Sequence, residues 1–152
     1  MDNMATEIEH KYLVKTDSFK ERTSRVIHIR QGYLCREKDR TVRVRITDNK
    51  AFITIKGHGH GAVRAEFEYE IPRQDGEQLL TMCLDHVIDK TRHIVFDNGN
   101  NWEVDVYHGR LQGLITAELE IPDENYTYPL PDFLGENLTD EHRFSNAALS
   151  LI

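Results

Sequence analysis

The chain has 152 residues, a net charge of −7, and 39% hydrophobic against 30% charged residues. That length suits one domain, residues 1–152, with a core of its own. The acidic balance speaks against nucleic acid as the partner, and no apolar run reaches the length of a membrane span. Met1-Asp2-Asn3-Met4 lacks the basic flank and apolar stretch of a secretory signal. Cys35 and Cys83 stand without metal-type spacing, and both features are those of a protein in a reducing cytoplasm.

Period-two alternation with many Val, Ile, Phe and Tyr predicts strands over most of the chain. They fall near Glu7–Val14, Val26–Cys35, Thr41–Thr47, Ala51–Lys56, Ala62–Ile71, Thr91–Asp97, Asn101–Tyr107 and Leu114–Ile121. Thr47-Asp48-Asn49-Lys50, Gly57-His58-Gly59-His60-Gly61 and Asp97-Asn98-Gly99-Asn100 read as turns that join antiparallel hairpins. Helical spacing predicts one helix over Glu77–Ile88, with Leu79, Leu80, Cys83, Leu84, Val87 and Ile88 on its packed face. A short helix is expected over Ser18–Thr23 and another over Ser145–Ile152.

The polar positions of these strands are repeatedly ionic. Glu7, Glu9 and Lys11 share a face; Arg43 and Arg45 alternate with Val42, Val44 and Ile46; Thr54 and Lys56 alternate with Ile53 and Ile55. Arg64, Glu66, Glu68 and Glu70 alternate with Ala65, Phe67, Tyr69 and Ile71. Glu103 and Asp105, then Glu118 and Glu120, follow the same rule. Any sheet with one wet face alternates charge. Here, however, the sign is segregated strand by strand, and Glu and Lys are residues that strands disfavour. About eight strands can close into a barrel around one small ligand. Ionic faces turned inward would then need water, metal or a polyanion, because a charge left alone in a dry interior costs several kcal/mol. Carboxylates are hard ligands for Mg²⁺ or Mn²⁺, and Arg and Lys bind phosphate oxygens. Together they suit a metal–polyphosphate complex.

The same residues occur in an order that resembles the CYTH, or triphosphate tunnel, family. Glu7-Ile8-Glu9-His10-Lys11 resembles its opening E-x-E-x-K signature. Gln31-Gly32-Tyr33-Leu34, Val42-Arg43-Val44-Arg45, Thr54-Ile55-Lys56 and Arg64 to Ile71 resemble its next motifs. Lys90-Thr91-Arg92, Trp102 to Val106, Ala117 to Glu120 and His142-Arg143-Phe144-Ser145-Asn146 follow in family order. The compact size is similar to the family's bacterial branch, many of whose members hydrolyse inorganic triphosphate.

The resemblance implies a mainly β fold, a closed eight-stranded antiparallel barrel with a few peripheral helices. It implies hydrolysis of triphosphate to pyrophosphate and phosphate with Mg²⁺ or Mn²⁺. Glu7, Glu9, Glu118 and Glu120 would hold metal, while Arg43, Arg45, Lys56, Lys90 and Arg92 would clamp phosphates. Glu66, Glu68 and Asp105 are candidates for a second metal or for orienting water, and Lys11 with Tyr33 matches a catalytic pair. Adenylate cyclase, nucleoside or thiamine triphosphatase activity, and plain polyphosphate binding remain alternatives on the same residues. The expected partner is a small triphosphate, with neither nucleic acid nor membrane, and a homodimer is left open. Glu70 extends the acidic run, with a place on the rim or surface as an equal alternative, and His58 and His60 in their glycine-rich hairpin lack a third ligand for zinc.

Overall fold

Branched and aromatic residues at every second position make extended backbone the favoured state for most of this chain. The structure, a computed structural model, describes residues 5–60 and 63–152; for residues 5–7, 59, 60, 63 and 64 it describes the backbone alone. Its strands are β1 (Ala5–Glu7), β2 (Glu9–Val14), β3 (Thr23–Glu37), β4 (Arg40–Ile46) and β5 (Ala51–His60). They continue with β6 (Val63–Ile71), β7 (Leu84–Asp97), β8 (Asn100–Tyr107), β9 (Ile115–Glu120) and β10 (Leu134–Asn137). All belong to one antiparallel 10-stranded sheet in the order β1-β6-β5-β4-β3-β7-β8-β9-β2-β10.

The ends of that order meet through the chain itself. β1 pairs with β6 and β2 pairs with β9, yet only Ile8 separates β1 from β2. One segment thus serves both ends of the sheet and gives it a barrel-like form. The hydrogen-bond ladder itself is not continuous around the circle. Taking β1 and β2 as one interrupted strand, with β10 a short addition, recovers every strand predicted from the sequence.

Alternation sends the apolar side chains outward, so the main cores lie outside the barrel. Tyr12, Val95, Trp102, Val104, Ala117 and Leu119 form one core with Phe19, Ile121, Phe133 and Leu134. Phe19 comes from a short 3₁₀ turn, Ser18–Arg22, that lies over β7. Trp102 meets Tyr12, Tyr128 and Phe133 edge-on, with ring centroids 5.8, 5.6 and 6.4 Å away. A second core joins Val44, Ile46 and Ala51 to Leu80 of helix α1 (Arg73–Thr81). Gly76 lets that helix approach: a Cβ there would stand 2.6 Å from the Cβ of Ala51. A third cluster unites Ile88, Tyr107 and Leu149, the last from helix α2 (Asn146–Leu149). Ser145 caps α2 by accepting the Ala148 N–H at 3.1 Å.

Four details depart from the sequence reading. The helix expected over Glu77–Ile88 ends at Thr81, and Leu84–Ile88 opens β7 instead. The apolar spacing of Leu84, Val87 and Ile88 fits either element; pairing with β3, Gln31 opposite Ile88 and Tyr33 opposite Leu84, decides for the strand. The glycine-rich stretch at Gly57–Gly61 is largely strand, since β5 runs to His60 around an irregularity after Lys56; Gly61 lies outside the described residues. The C-terminal helix is a single turn. The short helix expected over Ser18–Thr23 is a 3₁₀ turn. The Asp97–Asn100 turn matches its expected form, with positive φ at Asn98 (48°) and Gly99 (82°) as a tight hairpin requires. Among the described residues no helix is long and apolar enough to cross a membrane.

The inverted arrangement makes sequence neighbours respond in opposite ways. Trp102 is fully buried in the outer core, whereas the next side chain, Glu103, faces the lumen. Trp102→Ala is expected to lower unfolding stability by about 3–5 kcal/mol in urea titrations. Glu103→Gln should stay within about 0.5 kcal/mol of the parent; equal losses in both would contradict the assigned faces.

Candidate functional site

Residues that face each other across the ladders share a side of the sheet, so the register assembles the lumen. Glu9 stands opposite Glu120, and Lys11 opposite Glu118. Glu118 in turn faces Glu103, and Asp105 faces Arg92. On the other wall Tyr33 faces Arg43, Arg43 faces Thr54, Thr54 faces Glu68, and Lys56 faces Glu66. Carboxylates thus gather on β2, β8 and β9, with bases on β4 and β5.

These walls enclose a cavity of about 230 Å³. Its acids are Glu9, Glu66, Glu68, Glu103, Glu118 and Glu120; its bases are Arg43, Arg45, Lys56 and Arg92, and Asn146 completes the lining. A second cavity of about 670 Å³ adjoins it, sharing Glu9, Arg43, Lys56, Glu118 and Asn146 and adding Lys11 and Tyr33. Tyr33 is buried, and it borders this second cavity.

The cations divide into two kinds. Arg92 is held behind the cavity by Asp105 through a bidentate pair of 2.8 and 2.9 Å, with Glu103 at 3.4 Å. Lys90 Nζ reaches Asp105 Oδ2, the oxygen that also accepts from Arg92 Nη2, at 2.7 Å. Arg43 and Arg45 are held more loosely. Arg43 donates to Thr54 at 3.3 Å, and its nearest carboxylate, Glu68, is 3.8 Å away. Arg45 donates its Nε–H to the neutral Gln31 at 2.8 Å, and among the described residues it makes no ion pair. It is half-buried, touching the cavity yet enclosed deep in the barrel. Burial, then the like charges of Arg43 and Arg92, pulls it down to about 9. It stays charged at neutral pH but lacks a counterion. Gln31 Nε2 and Arg43 Nε are buried without partners, so this wall presents more donors than the protein satisfies.

The acid wall shows the opposite stress. Glu118 is drawn down to about 2: burial opposes its charge, but Lys11 and a hydrogen bond with Glu9 outweigh it. Two carboxylic groups in hydrogen-bond contact must share a proton or receive a cation. Lys11 also donates to the Phe144 carbonyl at 2.9 Å, which brings the C-terminal segment against the second cavity.

The expected site residues therefore fall into three groups. Glu9, Lys11, Tyr33, Arg43, Arg45, Lys56, Glu66, Glu68, Arg92, Glu118 and Glu120 line one or both cavities. Lys90 and Asp105 face inward but are fully buried and line neither. Their ion pair turns them from a phosphate clamp and a water-orienting acid into parts of the wall. The side chain of Glu7 lies outside the described residues, although its Cα pairs with Arg64 in the β1–β6 ladder. Glu70 is exposed, as expected of a rim charge. Glu103, Gln31 and Asn146 are site residues to which the sequence assigned no role. Glu103 was within reach, since it shares the parity of Asp105; neutral Gln31 and Asn146 carry no charge signal.

Asp105 is the acid that compensates both walled-in cations. Asp105→Ala leaves Lys90 without its carboxylate and Arg92 with Glu103 alone, and should cost about 3–5 kcal/mol of unfolding stability. A chemical-denaturation midpoint unchanged by that substitution would show that the pairs are not made.

A family profile for the CYTH domain matches residues 5–148. The inorganic triphosphatase of Acetivibrio thermocellus is 40% identical over 147 residues, covering 96% of this chain and 94% of that protein. The inorganic triphosphatase of Nitrosomonas europaea is 33% identical over 150 residues, with 96% and 97% covered. The crystal structure of the inorganic triphosphatase NE1496 superposes with a TM-score of 0.71 at 30% identity, over 99% of this chain and 98% of that one. The PH1012 protein of Pyrococcus horikoshii shares the fold alone, at 20% identity and a TM-score of 0.61 over 78% of this chain and 80% of that one. By its profile match and by the identity and coverage of these relatives, the chain belongs to the CYTH domain family.

Proposed function

We propose that this protein hydrolyses inorganic triphosphate to pyrophosphate and phosphate with the help of a divalent metal ion. The observation that carries the reading is Arg45, a charge enclosed in a wholly polar cavity and making no ion pair among the described residues. Such a guanidinium gains most from an anion that enters the lumen. The names of both curated relatives point to the same substrate.

The donor set on the acid wall suits a hard cation. Glu9, Glu118 and Glu120 offer carboxylate oxygens from adjacent strands, with Glu7 two residues before Glu9. Among the described residues no three such groups already stand as a metal cluster. That agrees with Mg²⁺ or Mn²⁺ held by one or two carboxylates and completed by substrate phosphates. When bound, the ion supplies positive charge against the oxygens that become more negative during phosphoryl transfer.

The protein's own residues do the rest. Arg43, Arg45 and Lys56 grip the phosphate chain and align it across the lumen. Glu66 and Glu68, next to Lys56 at 3.5 Å and Thr54 at 2.9 Å, orient the attacking water. The water oxygen bonds to the terminal phosphorus while the bridging P–O bond breaks and pyrophosphate leaves with the electron pair. Lys11 and Tyr33 meet the reacting group from the second cavity, and Asp105 positions Arg92.

Purified protein given triphosphate and Mg²⁺ or Mn²⁺ should release pyrophosphate and phosphate in equal amounts, and a chelator should abolish turnover. Faster cleavage of ATP or thiamine triphosphate than of triphosphate would replace this reading with a nucleoside or thiamine triphosphatase. Glu120→Gln should lower kcat by roughly 10²-fold or more, because that acid faces Glu9 at the proposed metal wall.

Lys11→Arg keeps the charge but changes the shape and proton affinity of the group. The expected result is a fall in kcat of about 10²-fold with KM near the parent value. A raised KM with kcat intact would instead make Lys11 one more phosphate clamp.

A further inference from the structure

Asn146 is the first residue of α2 and the neutral side chain common to both cavities. Its carboxamide orientation is fixed from behind. The Tyr107 hydroxyl donates to Oδ1 at 3.1 Å, and Lys90 Nζ donates to the same oxygen at 3.5 Å. An ammonium has no acceptor, so only the oxygen of the carboxamide can face it. Tyr107 is 1% exposed and Lys90 is fully buried, so both anchors belong to the packed wall. Lys90 is itself pinned to Asp105 at 2.7 Å. The anchored oxygen leaves the Nδ2 group as the part of Asn146 that meets the cavities, and among the described residues it donates to nothing.

We propose that Asn146 is a substrate-binding residue whose Nδ2–H donates to a non-bridging phosphate oxygen where the two cavities join. The inference rests on the triphosphatase reading and adds to it a neutral donor from the C-terminal segment. Its position is useful because the neighbouring lining is already crowded with charge. A carboxamide adds a directed donor without another cation, and so without more repulsion of Arg43 and Arg45. The same segment touches Lys11 through the Phe144 carbonyl. Binding at Asn146 would therefore register the substrate against Lys11 at the cavity and Lys90 in its wall.

Asn146→Asp is the discriminating substitution, because its carboxylate can still accept from Tyr107 and Lys90 but can no longer donate. Asn146→Leu removes both functions at similar volume. Calorimetric titration with inorganic triphosphate, with and without Mg²⁺, should show affinity falling roughly ten- to hundredfold in both variants. Steady-state assays should show KM rising more than kcat falls. Thermal melting should be close to the parent for the Asp variant and lowered for Leu. An Asp variant that binds triphosphate within twofold of the parent would reduce Asn146 to a support for Lys90 and overturn the proposal. If the Asp variant does not fold, a Leu variant with parental affinity overturns it equally. A parent protein that neither binds nor cleaves triphosphate would bring down the functional reading, and this inference with it; unaltered binding in the variants alone brings down only the inference.

Discussion

The rest of this structure depends on one constraint: the charged residues of the strands must face inward without collapsing the barrel. Asp105 shows how the constraint is met. It is fully buried and compensates Lys90 and Arg92 together, at 2.7 to 2.9 Å. Burial alone would raise its pKa, yet Lys90 and Arg92 hold it well below the ordinary carboxylate range. Around that knot the interior does not need to be dry. Apolar burial, which supplies most of the folding free energy, is moved to the outer surface of the barrel. Trp102 and Val104 on one side and Val44 and Ile46 on the other sit in those outer cores. The sheet thus acts as a two-faced layer, and its covering segments do the work a central core does elsewhere.

Placing stability outside leaves the lumen free to be electrostatically unfinished. On the acid wall Glu9 and Glu118 contact each other. On the basic wall, among the described residues, Arg45 bonds to the neutral Gln31 and Arg43 stands 3.8 Å from Glu68. A bound polyphosphate with a metal ion would satisfy both walls at once, anion against arginines and cation against glutamates. This is preorganisation, in which donors are fixed before the charge arrives and little reorganisation follows. Marginal stability elsewhere sets the limit on how much of such frustration a domain can carry.

Much of this was legible in the sequence because alternation is a strict code in strands. Val42-Arg43-Val44-Arg45 states which side chains point inward, and the structure agrees for Arg43, Val44 and Arg45. The code is silent on depth. Lys90 and Arg43 have the same inward parity, yet the first is enclosed with Asp105 while the second borders the cavity. Lys90 also lies over the ring of Tyr107, which clusters with Ile88 and Leu149, and no single strand encodes those contacts. Leu84–Ile88 was misread because an apolar run of that length fits a helix face as well as a strand, and only its partner β3 decides. Asn146 stands in the closing motif His142 to Asn146, but no charge or alternation marks it as part of the lumen. It is uncharged and lies outside the alternating strands, and its place depends on a one-turn helix at the end of the chain.

Two of the interior lysines, Lys11 and Lys90, show why a perturbed pKa does not by itself mark the chemistry. Burial, and then the like charges of Arg92 and Arg45 against the pull of Asp105, brings Lys90 down to about 7. A group that titrates near neutrality would ordinarily be nominated as the acid or base. Geometry argues otherwise, because a proton-transfer group must reach the reacting atoms directly or through one water. Lys90 is fully buried and borders neither cavity; its neighbours are Asp105, Tyr107 and Asn146. Lys11 has the access that Lys90 lacks, for it lines the larger cavity beside Tyr33 and stands across the ladder from Glu118. The roles therefore separate by position. Lys90 is fixed in the wall against Asp105 and Asn146, while Lys11 borders the open cavity.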